Sequence, residues 1–243
     1  MRSEERDATH AQVNRSLRDE FAEVLAGLRW EVALLQEAPP RWQPELARRC
    51  QAGAELALTS RNVLPALQGA LADWNPDLIA SWEGGSNMVL VRSPARIAET
   101  RRLTLATRPE RRRMLFARIE APGRRELCVA NVHLSTDARL AGAEIERAAA
   151  WAVEWAGAAP LVFGGDLNLR PGLSPEPFAA LRDRFGLVPP TSDRAIDHLL
   201  AHGLRLVEPP ASLPPDARER VRPDGLRIRL SDHAPVVAGF GMR

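Results

Sequence analysis

Asp166 and Asn168 stand two residues apart at the end of LeuValPheGlyGlyAspLeuAsnLeuArg, residues 161 to 170. A strand points alternate residues to the same side, so one carboxylate and one carboxamide share a spot. There, oxygen can hold a hard divalent cation and a side-chain nitrogen can donate to phosphate. Gly, Asp and Asn also make ordinary turns, and the pair gains chemical weight from four other segments. Glu37 ends ValAlaLeuLeuGlnGlu, and His133 lies in LeuCysValAlaAsnValHisLeu. Asp197 and His198 lie in AlaIleAspHisLeuLeu, and Asp232 and His233 in LeuSerAspHisAlaProValVal. Each is embedded in apolar sequence of the buried-strand type. Charge in such places is costly unless a metal or a partner compensates it. Carboxylates, imidazoles and amides so placed suit metal-assisted hydrolysis of a phosphate ester.

In this order, the pieces LeuGlnGlu (35 to 37), AsnValHisLeu (131 to 134), GlyGlyAspLeuAsn (164 to 168), IleAspHis (196 to 198) and SerAspHisAlaProVal (231 to 236) resemble the endonuclease/exonuclease/phosphatase superfamily. Its members include pancreatic-type deoxyribonucleases, abasic-site endonucleases, sphingomyelinases and inositol polyphosphate phosphatases. The resemblance implies a four-layer α/β/β/α sandwich, two mixed β-sheets flanked by helices, with the site where strand ends meet. It implies Glu37 as principal ligand of Mg²⁺ or Mn²⁺, helped by Asp232. Asp166 would orient or deprotonate the attacking water, and Asn168 would hold that water or a phosphate oxygen. His233 would contact phosphate or move a proton, and Asp197 would fix its tautomer. His133 would face the leaving group. Asn87, Arg112 and Arg113 are weaker candidates for contacts to the substrate phosphate, since a hairpin Asn and a solvated charge run are ordinary readings. His198 neighbours Asp197 on a strand and so points to the opposite face, which suits packing.

Length and composition fit one domain over residues 1 to 243, with 45% hydrophobic residues to fill a core. Every one of the 33 basic residues is arginine, a compositional bias that says little about function. The net charge of +2 permits a phosphate-bearing partner, nucleic acid included, without demanding one. Cys50 and Cys128 fit buried thiols better than a ligand cluster or a disulfide. With no signal-peptide pattern or membrane-length apolar run, the sequence reads as cytoplasmic, and a monomer is expected. Tyrosine is absent altogether. Abasic-site enzymes commonly carry one where His133 stands, so general phosphodiester chemistry is favoured over abasic repair. A phosphomonoesterase and a silent phosphate-binding scaffold are the alternatives.

Periodicity predicts helices over 11 to 29, 43 to 53, 62 to 73, 137 to 156 and 174 to 185. Strands are expected to end at Glu37 and Asp166, and over 78 to 82, 87 to 92, 96 to 106, 113 to 120 and 125 to 134. The Pro-, Asp- and Arg-rich stretch 208 to 228 reads as an exposed loop with a helical turn near 215 to 221. Superfamily members open on a central strand ending in an Asn near the metal. This sequence begins MetArgSerGluGluArgAspAlaThr, which reads as the loop after that strand. The expectation is that the first central strand is missing and that translation starts upstream of Met1. Asn14, the one asparagine before Glu37, lies in helix-like sequence and is a poor substitute.

Overall fold

The computed structural model describes residues 16–59 and 85–242. The expected helix over 62 to 73, the strand over 78 to 82 and Asn14 lie outside them.

The chain enters through α1 (Arg18–Gly27) and continues into β1 (Val32–Ala38), α2 (Gln43–Cys50), β2 (Ala52–Leu58) and β3 (Ser86–Arg92). Then come β4 (Arg96–Ala106), β5 (Arg112–Glu120), β6 (Leu127–His133), α3 (Ala138–Ala156), β7 (Leu161–Asp166), α4 (Pro175–Phe185) and β8 (Asp197–His202). It ends with β9 (Leu204–Ser212), a hairpin of β10 (Glu219–Val221) and β11 (Arg227–Arg229), and β12 (Val236–Met242). One sheet has the order β4-β5-β6-β7-β8, parallel only between β6 and β7. Opposite it lie β1-β3-β2, antiparallel throughout, and the pair β12-β9.

Alternation along the strands assigns each side chain to a layer. Val89 and Val91 of β3 meet Leu115, Ala117, Val129 and Val162 between the sheets. Met88 and Leu90 turn the other way, onto Ala22 and Leu25 of α1 and Leu46 and Cys50 of α2. On the far side, Met114, Phe116, Ala130 and Phe163 pack against the alanine face of α3, where Ala141, Ala148, Ala149 and Ala152 are fully buried. Small side chains let that helix lie close to the sheet, and the Asp137 carboxylate caps it by accepting from the Arg139 N–H at 2.8 Å. The result is the four-layer α/β/β/α sandwich. Both thiols are buried and free.

The segment expected to be an exposed loop departs from that reading. Residues 204–212 form β9 because they pair with β12, although the run holds Pro209 and Pro210 and is largely exposed. Edge strands tolerate proline where its ring side faces solvent. A 3₁₀ turn at Pro215–Arg218 matches the expected helical turn, and the β10–β11 hairpin follows it.

Strand β7 owes its place to two glycines. A Cβ on Gly164 would lie 2.4 Å from the His198 carbonyl oxygen. Gly165 has φ +127°, and a Cβ there would lie 2.0 Å from the Val132 carbonyl oxygen and 3.0 Å from both Asn131 Oδ1 and Gln36 Nε2. Substitution should therefore cost backbone strain and break a buried contact together. Gly165→Ala is expected to lower unfolding free energy by about 3 kcal/mol or more. By contrast Gly142, inside α3, has only Pro177 Cγ at 3.7 Å from its would-be Cβ, so Gly142→Ala should stabilise by about 0.5–1 kcal/mol. Urea unfolding of the two variants checks the opposite signs; a Gly165→Ala protein as stable as the parent would contradict this account of β7.

Candidate active site

Five strand ends converge at one end of the sandwich. β6 delivers His133, β7 Asp166, β8 Asp197, β1 Glu37, and the turn before β12 delivers His233. All five line one cleft of about 920 Å³, together with Asn168, Arg112, Arg218 and Asp232. The register explains the meeting: His133 pairs with Asp166 across β6–β7, and Asp166 with Asp197 across β7–β8.

At the centre, one ligand atom each from Asp166, Asp197 and His233 lies within 4.8 Å of the others. The loop after β7 folds around the Asp166 carboxylate. The Asn168 N–H donates to Asp166 Oδ1 at 2.9 Å, and Asn168 takes the left-handed φ of 50° that asparagine tolerates. Asn168 Nδ2 donates to the Leu134 carbonyl at 2.9 Å, which fixes the carboxamide beside the carboxylate. Burial still dominates at Asp166, and with Asp197 and Glu37 nearby it outweighs the Asn168 bond and pushes the pKa up to about 6.

The two histidines diverge. His233 Nδ1 lies 2.8 Å from Asp197 Oδ2, and that hydrogen bond raises its pKa to about 9. His133 is 5% exposed and is pushed down to about 3, first by burial and then by the positive charges of Arg112 and His233. Its Nε2 sits 3.4 Å from Asp166 Oδ2, and its buried Nδ1 has no hydrogen-bond partner among the described residues, with Glu37 Oε1 at 3.8 Å. At neutral pH the cleft therefore holds one cationic and one neutral imidazole.

Glu37 stands at the rim. A bulge between Leu35 and Ala38 interrupts the β1–β3 register, Glu37 takes φ 55°, and its side chain is 76% exposed. Asp232 is also at the rim and exposed, and its backbone carbonyl accepts from Arg218. Neither belongs to the central trio. Arg112 is 8% exposed and pairs with Glu110 Oε2 at 3.0 Å on the cleft wall. Asn87 and Arg113 do not line the cleft: Asn87 is fully buried, and its Nδ2 donates to the Arg113 carbonyl at 2.6 Å. His198 faces away from Asp197, as alternation requires, accepting from the Thr191 N–H at 3.0 Å and packing edge-on against Phe178.

The structure adds residues that the sequence reading left without a role. Asn131 is fully buried; its Nδ2 donates at 2.9 Å to the Leu35 and Met88 carbonyls, and its Oδ1 accepts from Gln36 Nε2 at 2.6 Å. It thus ties β6 to β1 and β3 beside the bulge that presents Glu37. Glu144 of α3 accepts from both the N–H and the hydroxyl of Ser135, pinning the chain just after His133. Only Asn131's place inside AsnValHisLeu hinted at any of this.

The shifted groups predict how the metal-free protein responds to pH. The folded state holds the protons of Asp166 and His233 more tightly than the unfolded chain does, so both favour folding less as pH rises. The Asp166 contribution is lost between about pH 4 and 6, and that of His233 between about 6.5 and 9. Asp166→Asn, which removes a buried charge, is expected to stabilise the chelator-treated protein at pH 7.5 by roughly 1–3 kcal/mol. Asp197→Asn should flatten the loss of stability between pH 6.5 and 9. Thermal unfolding across pH with both variants checks this; an Asp166→Asn protein less stable than the parent at pH 7.5 would contradict it.

The chain is similar in fold to several solved structures. An endonuclease/exonuclease/phosphatase from Bacteroides vulgatus superposes with a TM-score of 0.67 at 12% identity, over 93% of this chain and 90% of that one. The human Nocturnin catalytic domain, with bound sulfate anion, gives 0.63 at 15% identity over 95% and 89%. A truncated Caenorhabditis elegans TDP2 gives 0.61 at 15% identity over 92% and 89%. No curated protein matches the sequence. The family model described as Endonuclease/Exonuclease/phosphatase family matches residues 7–233. By that match and the sandwich that carries these polar strand ends, the chain belongs to the endonuclease/exonuclease/phosphatase family.

Proposed function

We propose that this protein is a divalent-metal-dependent phosphoesterase that hydrolyses a phosphodiester by in-line attack of an activated water. The observation that carries the reading is the trio of Asp166, Asp197 and His233 in the cleft, where the carboxyl at about 6 and the imidazole at about 9 lie on either side of neutral pH. Members of the family are typically hydrolases of phosphate esters that use divalent metals. The Nocturnin structure, which shares this fold, carries a bound sulfate, an anion of phosphate-like shape.

The residues fit a hard cation. Asp166 is a buried carboxylate whose nearest basic side chain among the described residues, His133 at 3.4 Å, is neutral at pH 7, and its raised pKa reflects a charge short of compensation. Asp166, Asp197 and Glu37 would hold Mg²⁺ or Mn²⁺ through oxygen, with Asp232 at the rim, and water would complete the shell. When bound, the cation supplies charge neutralisation on the phosphoryl oxygens and acidifies coordinated water.

The chain's own groups do the rest. Asp166 accepts the proton of the attacking water, which Asn168 orients. His233, held cationic by Asp197, donates to a phosphoryl oxygen or protonates the departing alkoxide. Arg112, charged and almost buried on the wall beside His133, contacts a non-bridging oxygen. His133, neutral at pH 7, offers a hydrogen bond rather than a charge. Both groups are raised, and their values of about 6 and about 9 fall on either side of neutral pH, which assigns Asp166 as base and His233 as acid.

A hydrolysis panel tests this reading: bis-p-nitrophenyl phosphate, p-nitrophenyl phosphate and plasmid DNA, with Mg²⁺ or Mn²⁺. The diester is expected to turn over and the monoester to lag, with EDTA abolishing both. Asp166→Ala should lower kcat/KM by about 10³-fold, while Arg112→Met should raise KM more than it lowers kcat. The pH–rate profile should be bell-shaped. Its rising limb is expected at or below pH 6, since a cation favours the ionised carboxylate, and its falling limb near the His233 value of about 9. Preference for the monoester would shift the assignment to a phosphatase. Metal-independent turnover, or none with any ester, would overturn it.

A further inference from the structure

We infer that Arg218 holds a second phosphate of the substrate, next to the one that is cleaved, so that the preferred substrate carries phosphates in series, as a nucleic-acid strand does. This deepens the proposed reaction and rests on it for which phosphate is cleaved.

The β10–β11 hairpin and the turn before it are dense in arginine: Arg218, Arg220, Arg222, Arg227 and Arg229. Four of the five face a carboxylate. Glu219, 8% exposed, pairs with Arg227 Nη1 at 3.0 Å and lies 3.7 Å from Arg229 Nε. Arg222 pairs with Asp224 at 2.9 Å, and Arg220 reaches Glu23 of α1 at 3.6 Å. Arg218 is the exception, and of the five it is the one that lines the cleft. Among the described residues its guanidinium meets a backbone carbonyl, that of Asp232, in place of a carboxylate. That bond uses one of the five N–H donors of a fork that stays charged at any physiological pH. A half-buried cation without a counter-charge, facing a cleft, favours an anion there.

The mount is rigid. The carbonyl of Arg218 accepts from the Leu230 N–H at 2.9 Å, which extends the β10–β11 ladder by one rung. The 3₁₀ turn before it closes with the Ala217 N–H on the Pro214 carbonyl at 3.0 Å. Arg218 is therefore presented to the cleft by fixed backbone.

Position argues for a second phosphate rather than a second grip on the first. Strands β5, β6, β7 and β8 follow one another in the sheet and carry Arg112, His133, Asp166 and Asp197. Neighbouring strands lie about 4.8 Å apart, so Arg112 and Asp197 start from backbone about 14 Å apart. Arg218 enters at the other end of this row, on the carbonyl of the residue just before His233, whose imidazole is bonded to Asp197. Each guanidinium is anchored at its own end, Arg112 by Glu110 at 3.0 Å and Arg218 by Asp232. A phosphate at the trio lies between the two walls, and a substrate that continues past His233 brings its next phosphate to Arg218.

Three ligands test this: thymidylyl-thymidine, the same dinucleotide with a 5′-phosphate, and the same with a 3′-phosphate. Affinity is read by isothermal titration calorimetry in EDTA, and kcat/KM with Mg²⁺. Both are expected to favour one phosphorylated form over the bare dinucleotide about 10- to 100-fold, the range of a charge-assisted hydrogen bond. The form that wins gives the polarity of the strand in the cleft. Arg218→Gln removes the charge but keeps an amide that can donate to the Asp232 carbonyl, and it should erase the preference. Arg218→Lys, a point charge without the fork, should keep part of it. Arg222→Gln, in the same hairpin but outside the cleft, should leave it intact. The preference is a ratio within one protein, so disorder in the SerAspHis turn, which weakens all three ligands alike, does not move it. Affinities read without metal decide the matter even if no dinucleotide turns over, a result that would count against the proposed reaction alone. Equal affinity for all three ligands, binding of none, or a preference that survives Arg218→Gln would overturn the assignment.

Discussion

Asn131 reaches from β6 across the sandwich interior and donates to one carbonyl on β1 and one on β3, while its own oxygen accepts from Gln36. A fully buried carboxamide is costly unless its hydrogen bonds are made, so the position of one sheet over the other is specified at this end to within hydrogen-bond tolerance. The tie needs space, and Gly165 gives it: any Cβ there would press on both Asn131 Oδ1 and Gln36 Nε2. Two features of the cleft follow. The β1 bulge is held next to the tie, and that bulge turns Glu37 outward into the cleft. The β7 strand can come close enough to β6 for Asp166 to sit beside His133. A change at Asn131 would therefore reach the chemistry without touching substrate.

On that frame the electrostatics sort themselves by depth. His133 is buried beside two cations and stays neutral; Asp166 is buried beside other acids and holds its proton unusually well. His233, half-buried, has a carboxylate in contact and stays charged. Desolvation wins at His133 and at Asp166, whose 2.9 Å bond comes from a neutral N–H, and the hydrogen bond wins at His233, whose partner is a carboxylate. The cleft is thus left with too little positive charge around Asp166 and with one mobile proton on His233. Those are the two shortages that a divalent cation and a phosphate ester relieve together.

Much of this could be read from the chain before its structure. Runs such as LeuValPheGlyGlyAsp are apolar at every position because both faces are covered, and their terminal polar residues stand out for that reason. Ala148, Ala149 and Ala152 betray a helix pressed on a sheet. Three things were hidden. The amide tie joins residues 95 positions apart, and nothing local distinguishes a buried amide from a solvated one. The wall position of Arg112, against the half-buried Arg113 that does not line the cleft, depends on which face of β5 looks into the cleft, and a run of three arginines does not reveal it. Strand β9 carries two prolines and mostly exposed side chains, so its strand character comes from β12 rather than from its own residues.

Glu37 and the central trio are held in different ways. Asn131 and Gly165 fix where β1 and β7 meet, but they act from below; the side of β1 that faces the cleft has no comparable restraint among the described residues. Glu37 sits at the end of that edge, on a bulge, with 76% of its side chain exposed. Glu37 is therefore placed by the backbone of the bulge, whereas His233, in the turn before β12, is placed by the Asp197 carboxylate at 2.8 Å.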